Sequence, residues 1–246
     1  MVTEHFIKNS NIMSKKVAVI LAGGLGTRLR PYTVVLPKPL MPIGEKPILG
    51  VIVDQLVHHK FDKAYFMVNH QADIIKAYFG DGTKWGIEIE YILETKPLGT
   101  MGPLTLIEEL PENFIVMNGD ILTDLSFSKF LADHTKCNKG FTIAASCREQ
   151  IIDYGVLETS GGMLSSMIEK PTTKYLVSMG VYAVSRTIQK LLPRDTHFGF
   201  DDLMHLCLHK KIEVRVSEHE GYWLDIGRPD DYIKAIEEVE TSGGFI

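Results

Sequence analysis

The 246-residue sequence has only three cysteines, Cys137, Cys147 and Cys207, too few and too scattered for a disulfide framework or a Cys-x-x-Cys zinc site. That scarcity suits a reducing, cytoplasmic compartment. No apolar run approaches membrane-spanning length, and residues 1–14 lack the basic start and apolar centre of a signal peptide. No membrane partner is therefore expected, and residues 1–15 read as an extension ahead of the folded chain. Excess positive charge is missing too: 26 basic against 31 acidic residues give a net charge of −5, so no global field attracts nucleic acid or anionic lipid. Any anion site must be local. Gly-x4-Gly-Lys-Ser/Thr, Gly-x-Gly-x-x-Gly and Gly-x-Ser-x-Gly are all absent, which argues against a Walker-type loop, a dinucleotide fold and a serine hydrolase. His205 and His209 share a helix face but lack the acidic residue of a His-Glu-x-x-His pattern, and His58-His59 reads as the polar end of a helix.

What is present begins with Leu21-Ala22-Gly23-Gly24-Leu25-Gly26-Thr27-Arg28, followed by Leu36-Pro37-Lys38-Pro39-Leu40. Residues 16–21 form a continuous β-branched run, the pattern of a buried parallel strand. The glycines after it free the backbone to bring N–H groups close to phosphate oxygens, and Arg28 and Lys38 can neutralise those phosphates. A nucleoside triphosphate needs that pairing of flexible backbone with fixed charge. Residues 22–45 make a long loop rich in proline and glycine, and such loops inside compact domains are usually functional.

Strand-like runs at 64–68, 87–92, 114–117 and 141–145 alternate with helical patterns at 47–59, 72–79, 102–110 and 127–134. This alternation predicts an α/β fold with a Rossmann-like, mostly parallel sheet flanked by helices and ligands at the carboxyl ends of the strands. Past residue 150, residues 154–158, the Gly161-Gly162 turn and residues 163–168 predict a small antiparallel hairpin. Helices follow at 186–192 and 201–209, a strand at 212–216, and a last helix from Pro229 with Asp230 and Asp231 in its first turn. Without repeats or long linkers, residues 16–246 read as one domain.

Two aspartates complete the chemistry. Asp120 in Asn118-Gly119-Asp120 follows a strand, and Asp225 in Trp223-Leu224-Asp225-Ile226-Gly227-Arg228-Pro229 precedes the last helix. Either one alone also suits a turn or a helix cap. Together near a triphosphate loop they suit Mg²⁺, which takes one or two carboxylates, waters and substrate phosphate oxygens.

In their order along the chain, the glycine loop, Pro-Lys-Pro, Gly-Thr-x-Gly-Pro, Asn-Gly-Asp, Tyr-Gly-Val, Glu-Lys-Pro, Gly-Val-Tyr and Trp-Leu-Asp-Ile-Gly resemble the sugar-1-phosphate nucleotidyltransferases, also called nucleotide-sugar pyrophosphorylases. The resemblance covers residues 16–240. It implies transfer of a nucleotidyl group from a triphosphate to a sugar 1-phosphate, releasing pyrophosphate. Arg28, Lys38, Asp120, Lys170 and Asp225 would be catalytic. Asp120 and Asp225 would hold the metal, and Leu21, Ala22, Gly23, Gly24, Gly26, Thr27, Gly99 and Thr100 would surround the nucleotide. In the hairpin, Gly155 would offer its N–H to the sugar, Glu169 would accept from sugar hydroxyls and Lys170 would contact the sugar phosphate.

Residues 97–104 match the string typical of the mannose-1-phosphate guanylyltransferase branch except for Met101 in place of alanine. Glu94 could accept from both N1–H and the exocyclic amine of guanine, although an exposed strand-end acid is the plainer reading. GTP and a mannose- or heptose-type acceptor are therefore favoured. Uridylyl, thymidylyl or cytidylyl transfer to another acceptor, such as glucose 1-phosphate or phosphocholine, stays open, as does a non-catalytic regulatory subunit. Members of the family often form dimers or tetramers, so a homo-oligomer is a further open expectation. The chain ends soon after its last predicted helix, and the appended β-helix domain of longer relatives is not expected.

Overall fold

The computed structural model describes residues 15–69 and 71–242. The extension expected over residues 1–15 lies, but for Lys15, outside them. The elements run in the order β1 (Val17–Leu21), β2 (Pro42–Ile43), β3 (Lys46–Pro47), α1 (Ile48–His58), β4 (Lys63–Val68), α2 (Ala72–Phe79) and β5 (Glu88–Leu93). Then come β6 (Asn113–Asn118), β7 (Ile121–Thr123), α3 (Phe127–Cys137), β8 (Phe141–Ile151), β9 (Gly155–Ser160), β10 (Met163–Glu169) and β11 (Thr172–Ser185). The chain continues with α4 (Arg186–Gln189), α5 (Phe200–His209), β12 (Val214–Glu218), β13 (Trp223–Asp225) and α6 (Pro229–Ser242).

A seven-stranded sheet ordered β12-β8-β11-β6-β1-β4-β5 forms the centre. Four of its six neighbour pairs are parallel: β1 with β4, β1 with β6, β4 with β5, and β8 with β12. β1 shows why the strands read as unbroken apolar runs. Because side chains alternate faces, Ala18 and Ile20 enter the core shared with α1, α2 and α3, while Val17 and Val19 enter the core shared with α5. Full burial of each such side chain is worth about 1.5–3 kcal/mol.

The expected α/β architecture is present, with two corrections. The helix expected over residues 102–110 is only a short 3-10 turn, Gly102–Leu106. The Leu104 and Ile107 carbonyls, which would accept from the later turns of that helix, instead accept from Gln189 Nε2 at 2.9 and 2.8 Å, and Ile107 is already extended. The second correction concerns β11, whose fourteen residues escape sequence patterning because its first half is polar and exposed. It pairs antiparallel with both β6 and β8, so the 141–145 segment meets parallel β12 on one side and antiparallel β11 on the other.

The hairpin β9–β10 forms as expected, with Ser160 opposite Met163 and positive φ at both Gly161 and Gly162, as a tight two-residue turn requires. It is a sheet of two strands only. A small β7–β13 sheet, in which Ile121 faces Asp225, links the middle of the chain to its end.

Candidate active site

The backbone brings the predicted motifs together through two ladders. Leu21, at the carboxyl end of β1, lies beside Asn118 at the end of β6, and the Gly119 N–H donates to the Leu21 carbonyl at 3.0 Å. The glycine-rich turn and Asp120 therefore emerge side by side. Antiparallel pairing of β7 with β13 then delivers Asp225, and the Ile226 N–H donates to the Asp120 carbonyl at 3.1 Å. Residues more than a hundred positions apart thus share one corner of the sheet.

The loop after β1 folds back on itself. The Gly26 carbonyl accepts from the Thr33 hydroxyl at 2.7 Å and from the Leu29 N–H at 2.9 Å, closing the turn that carries Thr27 and Arg28. Lys38 follows in a short 3-10 turn and is 9% exposed; its ammonium donates to Asp120 Oδ2 in an ion pair. The cation expected on phosphates is thus seated on one of the two aspartates expected to hold the metal.

A cavity of about 690 Å³ opens in front of this corner. Its lining includes Leu21, Gly23, Gly24, Arg28 and Asp120 together with Glu94, Gly99 and Thr100. Gly99 has φ +77°, and a Cβ there would stand 2.8 Å from the Phe198 carbonyl oxygen, so only glycine lets the segment lie against residues 196–198. Met101, where the resembling branch has alanine, is fully buried in the α5-side core.

Glu94 faces the glycine turn: its Oε1 would lie 3.0 Å from a Cβ built on Gly23. Burial pushes its carboxyl pKa up, opposed by the Leu98 backbone N–H. The plain reading of Glu94 as an exposed strand-end acid is thereby set aside; it is a half-buried acceptor on the cavity wall. Sequence reasoning gave no role to Asn69 or Asn118, which line the same cavity. Asn69 donates through Nδ2 to the Gly23 carbonyl and so braces the turn. Both asparagines stand at the carboxyl ends of parallel strands, where such folds place ligand contacts, and that position was their available signal.

The donor set fits a hard divalent cation. Asp120 Oδ1 is buried with no hydrogen-bond partner. Asp225 opens toward the same corner, and its carboxyl pKa is raised by desolvation and by the charge of Asp120, against the pull of Lys38 and Arg28. A cation between the two aspartates would relieve both. Among the described residues no group of three acidic, histidine or cysteine side chains is poised for a metal, so its remaining ligands would come from phosphate and water.

The three residues expected at the sugar lie apart from this cavity, on the hairpin. Glu169 Oε2 would stand 3.0 Å from a Cβ on Gly155, so those two are neighbours across β9 and β10. Lys170 is exposed and pairs with Asp153 at 2.7 Å.

Comparison with known proteins shows the family. Residues 17–242 match the family described as nucleotidyl transferase. A mannose-1-phosphate guanyltransferase of Yarrowia lipolytica is 32% identical over 228 residues, covering 87% of this chain and 61% of that protein. A UTP–glucose-1-phosphate uridylyltransferase of Synechocystis sp. is 31% identical over 243 residues, covering 90% of this chain and 63% of that one. The chain thus spans 61–63% of the length of these curated relatives. Among solved structures, HddC from Yersinia pseudotuberculosis complexed with GMP-PN is 28% identical with a TM-score of 0.68, covering 91% of this chain and 99% of that one. A putative glucose-1-phosphate thymidylyltransferase from Bacillus anthracis shares the fold, with a TM-score of 0.74 at 21% identity over 92% of this chain and 95% of that one.

Proposed function

The chain belongs to the nucleotidyl transferase family, and from that premise we propose that it joins a nucleoside triphosphate to a sugar 1-phosphate, giving a nucleotide sugar and pyrophosphate. The observation that carries this reading is the convergence of Arg28, the Lys38–Asp120 ion pair and Asp225 at one corner of the sheet, beside a cavity also lined by Glu94 to Thr100. That corner supplies fixed cations and carboxylates but needs no protein nucleophile. An oxygen of the sugar phosphate attacks the α-phosphorus in line, and the enzyme contributes positioning and charge stabilisation. Arg28 stabilises charge gathering on the departing phosphates. Lys38, seated on Asp120, holds that carboxylate in place beside the incoming phosphates.

Asp120 and Asp225 would hold Mg²⁺, which when bound neutralises phosphate charge as a Lewis acid. Gly155, Glu169 and Lys170 on the hairpin would receive the sugar and its phosphate, and backbone groups of the glycine turn the triphosphate.

GTP is the favoured donor. A half-buried carboxylate at Glu94 matches the paired donors N1–H and exocyclic amine of guanine, which uracil and thymine do not present. The guanyltransferase relatives and the HddC complex with GMP-PN support the same base. A mannose- or heptose-type 1-phosphate is the favoured acceptor; the uridylyltransferase relative keeps another base and glucose 1-phosphate as the second reading. A purely regulatory subunit is disfavoured, because Arg28, Lys38, Asp120 and Asp225 are all in place. Among the described residues no helix is long and apolar enough to cross a membrane.

The test is pyrophosphate release with Mg²⁺ across the nucleoside triphosphates, each against mannose, glucose and heptose 1-phosphates. Release with GTP and one sugar is expected. Release only with UTP, dTTP or CTP would overturn the base assignment, and silence throughout would overturn the transfer reaction.

A further inference from the structure

A second cavity of about 680 Å³ meets the first at Arg28, which lines both. Its other walls carry Arg148, Trp223, Asp225, Arg228, Asp231 and Lys234. Arg148 projects from β8 with its guanidinium 4.4 Å from the centroid of the Trp223 ring, and Nη2 donates to the Trp223 carbonyl at 3.1 Å. Stacking and hydrogen bond fix the plane of that group and leave its other N–H donors unused. Among the described residues, neither Arg28, Arg148 nor Arg228 forms an ion pair with a carboxylate. Of the two acids in the walls, Asp225 belongs to the metal corner, and Asp231 caps α6 by accepting from the Arg228 N–H at 2.9 Å. Lys234 is loosely paired with Glu238 at 3.7 Å. Three unpaired guanidinium groups around one hollow repel one another, and a multiply charged anion would relieve that repulsion.

We propose that this chamber holds the pyrophosphate limb of the triphosphate, with Arg148 and Arg228 binding it from outside the glycine-rich turn. The inference rests on the nucleotidyl-transfer reading. Pyrophosphate is favoured over the acceptor for two reasons. Arg28, which belongs to the turn that receives phosphates, opens onto the chamber, whereas Gly155, Glu169 and Lys170 do not line it. In the reaction, a bond forms between the acceptor phosphate oxygen and the α-phosphorus. The bond from the α-phosphorus to the oxygen bridging to the β-phosphorus breaks, and its electron pair leaves with pyrophosphate. The guanidinium groups receive that charge bidentately.

Inorganic pyrophosphate, titrated with Mg²⁺ into the full chain by calorimetry, tests the proposal directly. Arg148→Leu and Arg228→Leu are each expected to weaken its binding about tenfold, equivalent to ~1.4 kcal/mol, with Arg148→Lys intermediate. In the reverse reaction the KM for pyrophosphate should rise by a similar factor while the KM for the nucleotide sugar stays put. Unchanged pyrophosphate binding in both leucine variants would overturn the proposal. So would a KM increase confined to the sugar 1-phosphate, which would assign the chamber to the acceptor. Arg228→Leu keeps the test decisive if loss of the Trp223 stack destabilises the Arg148 variant. A wild-type chain that binds pyrophosphate yet transfers no nucleotide would overturn the transfer reading and leave the chamber standing.

Discussion

Arg28 and Lys170 are both cations expected to meet phosphate, and the chain supports them in opposite ways. Arg28 follows a strand packed on both faces, in a turn tied by Thr33 and braced by Asn69. Lys170 ends a two-stranded hairpin whose apolar side chains face solvent: Tyr154 is 78% and Met163 75% exposed. An isolated hairpin is marginally stable, whereas a turn anchored by buried parallel strands is rigid before any ligand arrives. The side proposed for the nucleotide is therefore preorganised, and the side proposed for the acceptor is carried by the least supported part of the fold. A sheet corner can fix the shared chemistry of triphosphate binding while exposed loops vary to suit different acceptors.

Removing the buried cation should have the largest effect. Lys38→Ala is expected to lower kcat on the order of 10²-fold, as loss of an electrostatic donor commonly does, while the KM for sugar 1-phosphate changes little. Steady-state kinetics check this, and turnover within twofold of wild type would refute the role. Next, Glu94→Gln should shift the GTP to UTP preference by about tenfold, the cost of one lost charge-assisted hydrogen bond. Because burial raises the Glu94 pKa, GTP affinity of the wild type should also fall on acidification, at a pH above the usual carboxylate range. The pH dependence of the GTP KM, compared between wild type and Glu94→Gln, measures both.

A smaller effect is expected in stability. The folded chain holds the Asp225 proton to higher pH than the unfolded chain does, so stability falls as pH rises from the ordinary value of 3.8 through the raised pKa. Asp225→Asn removes that penalty. Its Tm at neutral pH should equal or exceed that of the wild type, and the increase in Tm that Mg²⁺ gives the wild type should be lost. A variant that melts lower and still responds to Mg²⁺ would count against the metal corner. The smallest change belongs to the hairpin: Met163→Ser should alter stability by no more than ~0.5 kcal/mol, as exposed sites usually do. A large loss on denaturant unfolding would show that the hairpin is packed in solution and would erase the contrast between the two regions.

Much of the nucleotide side was legible because its signals are local. A β-branched run followed by glycines and Arg28 dictates strand and turn over a dozen residues, and α2 spans the predicted 72–79 for the same reason. The 102–110 helix failed because its fate was set by a partner far along the chain, the Gln189 amide that takes the Leu104 and Ile107 carbonyls. β11 escaped because pairing with β8 and β6, rather than any alternation of its own, makes it a strand. Arg148 gave no signal at all, since its place over Trp223 comes from the extension of β8 beyond the core.

By itself the sequence determined the chemistry on offer: which cations, carboxylates and glycines exist, and which strands and turns carry them. That information is local and survives in any conformation close to the native one. The tertiary structure alone decided that Lys38 sits on Asp120, that β13 brings Asp225 to the same corner, and that three guanidinium groups converge with no carboxylate paired to them among the described residues. Those juxtapositions arise from ladders closing between segments about a hundred residues apart, which local patterning does not encode.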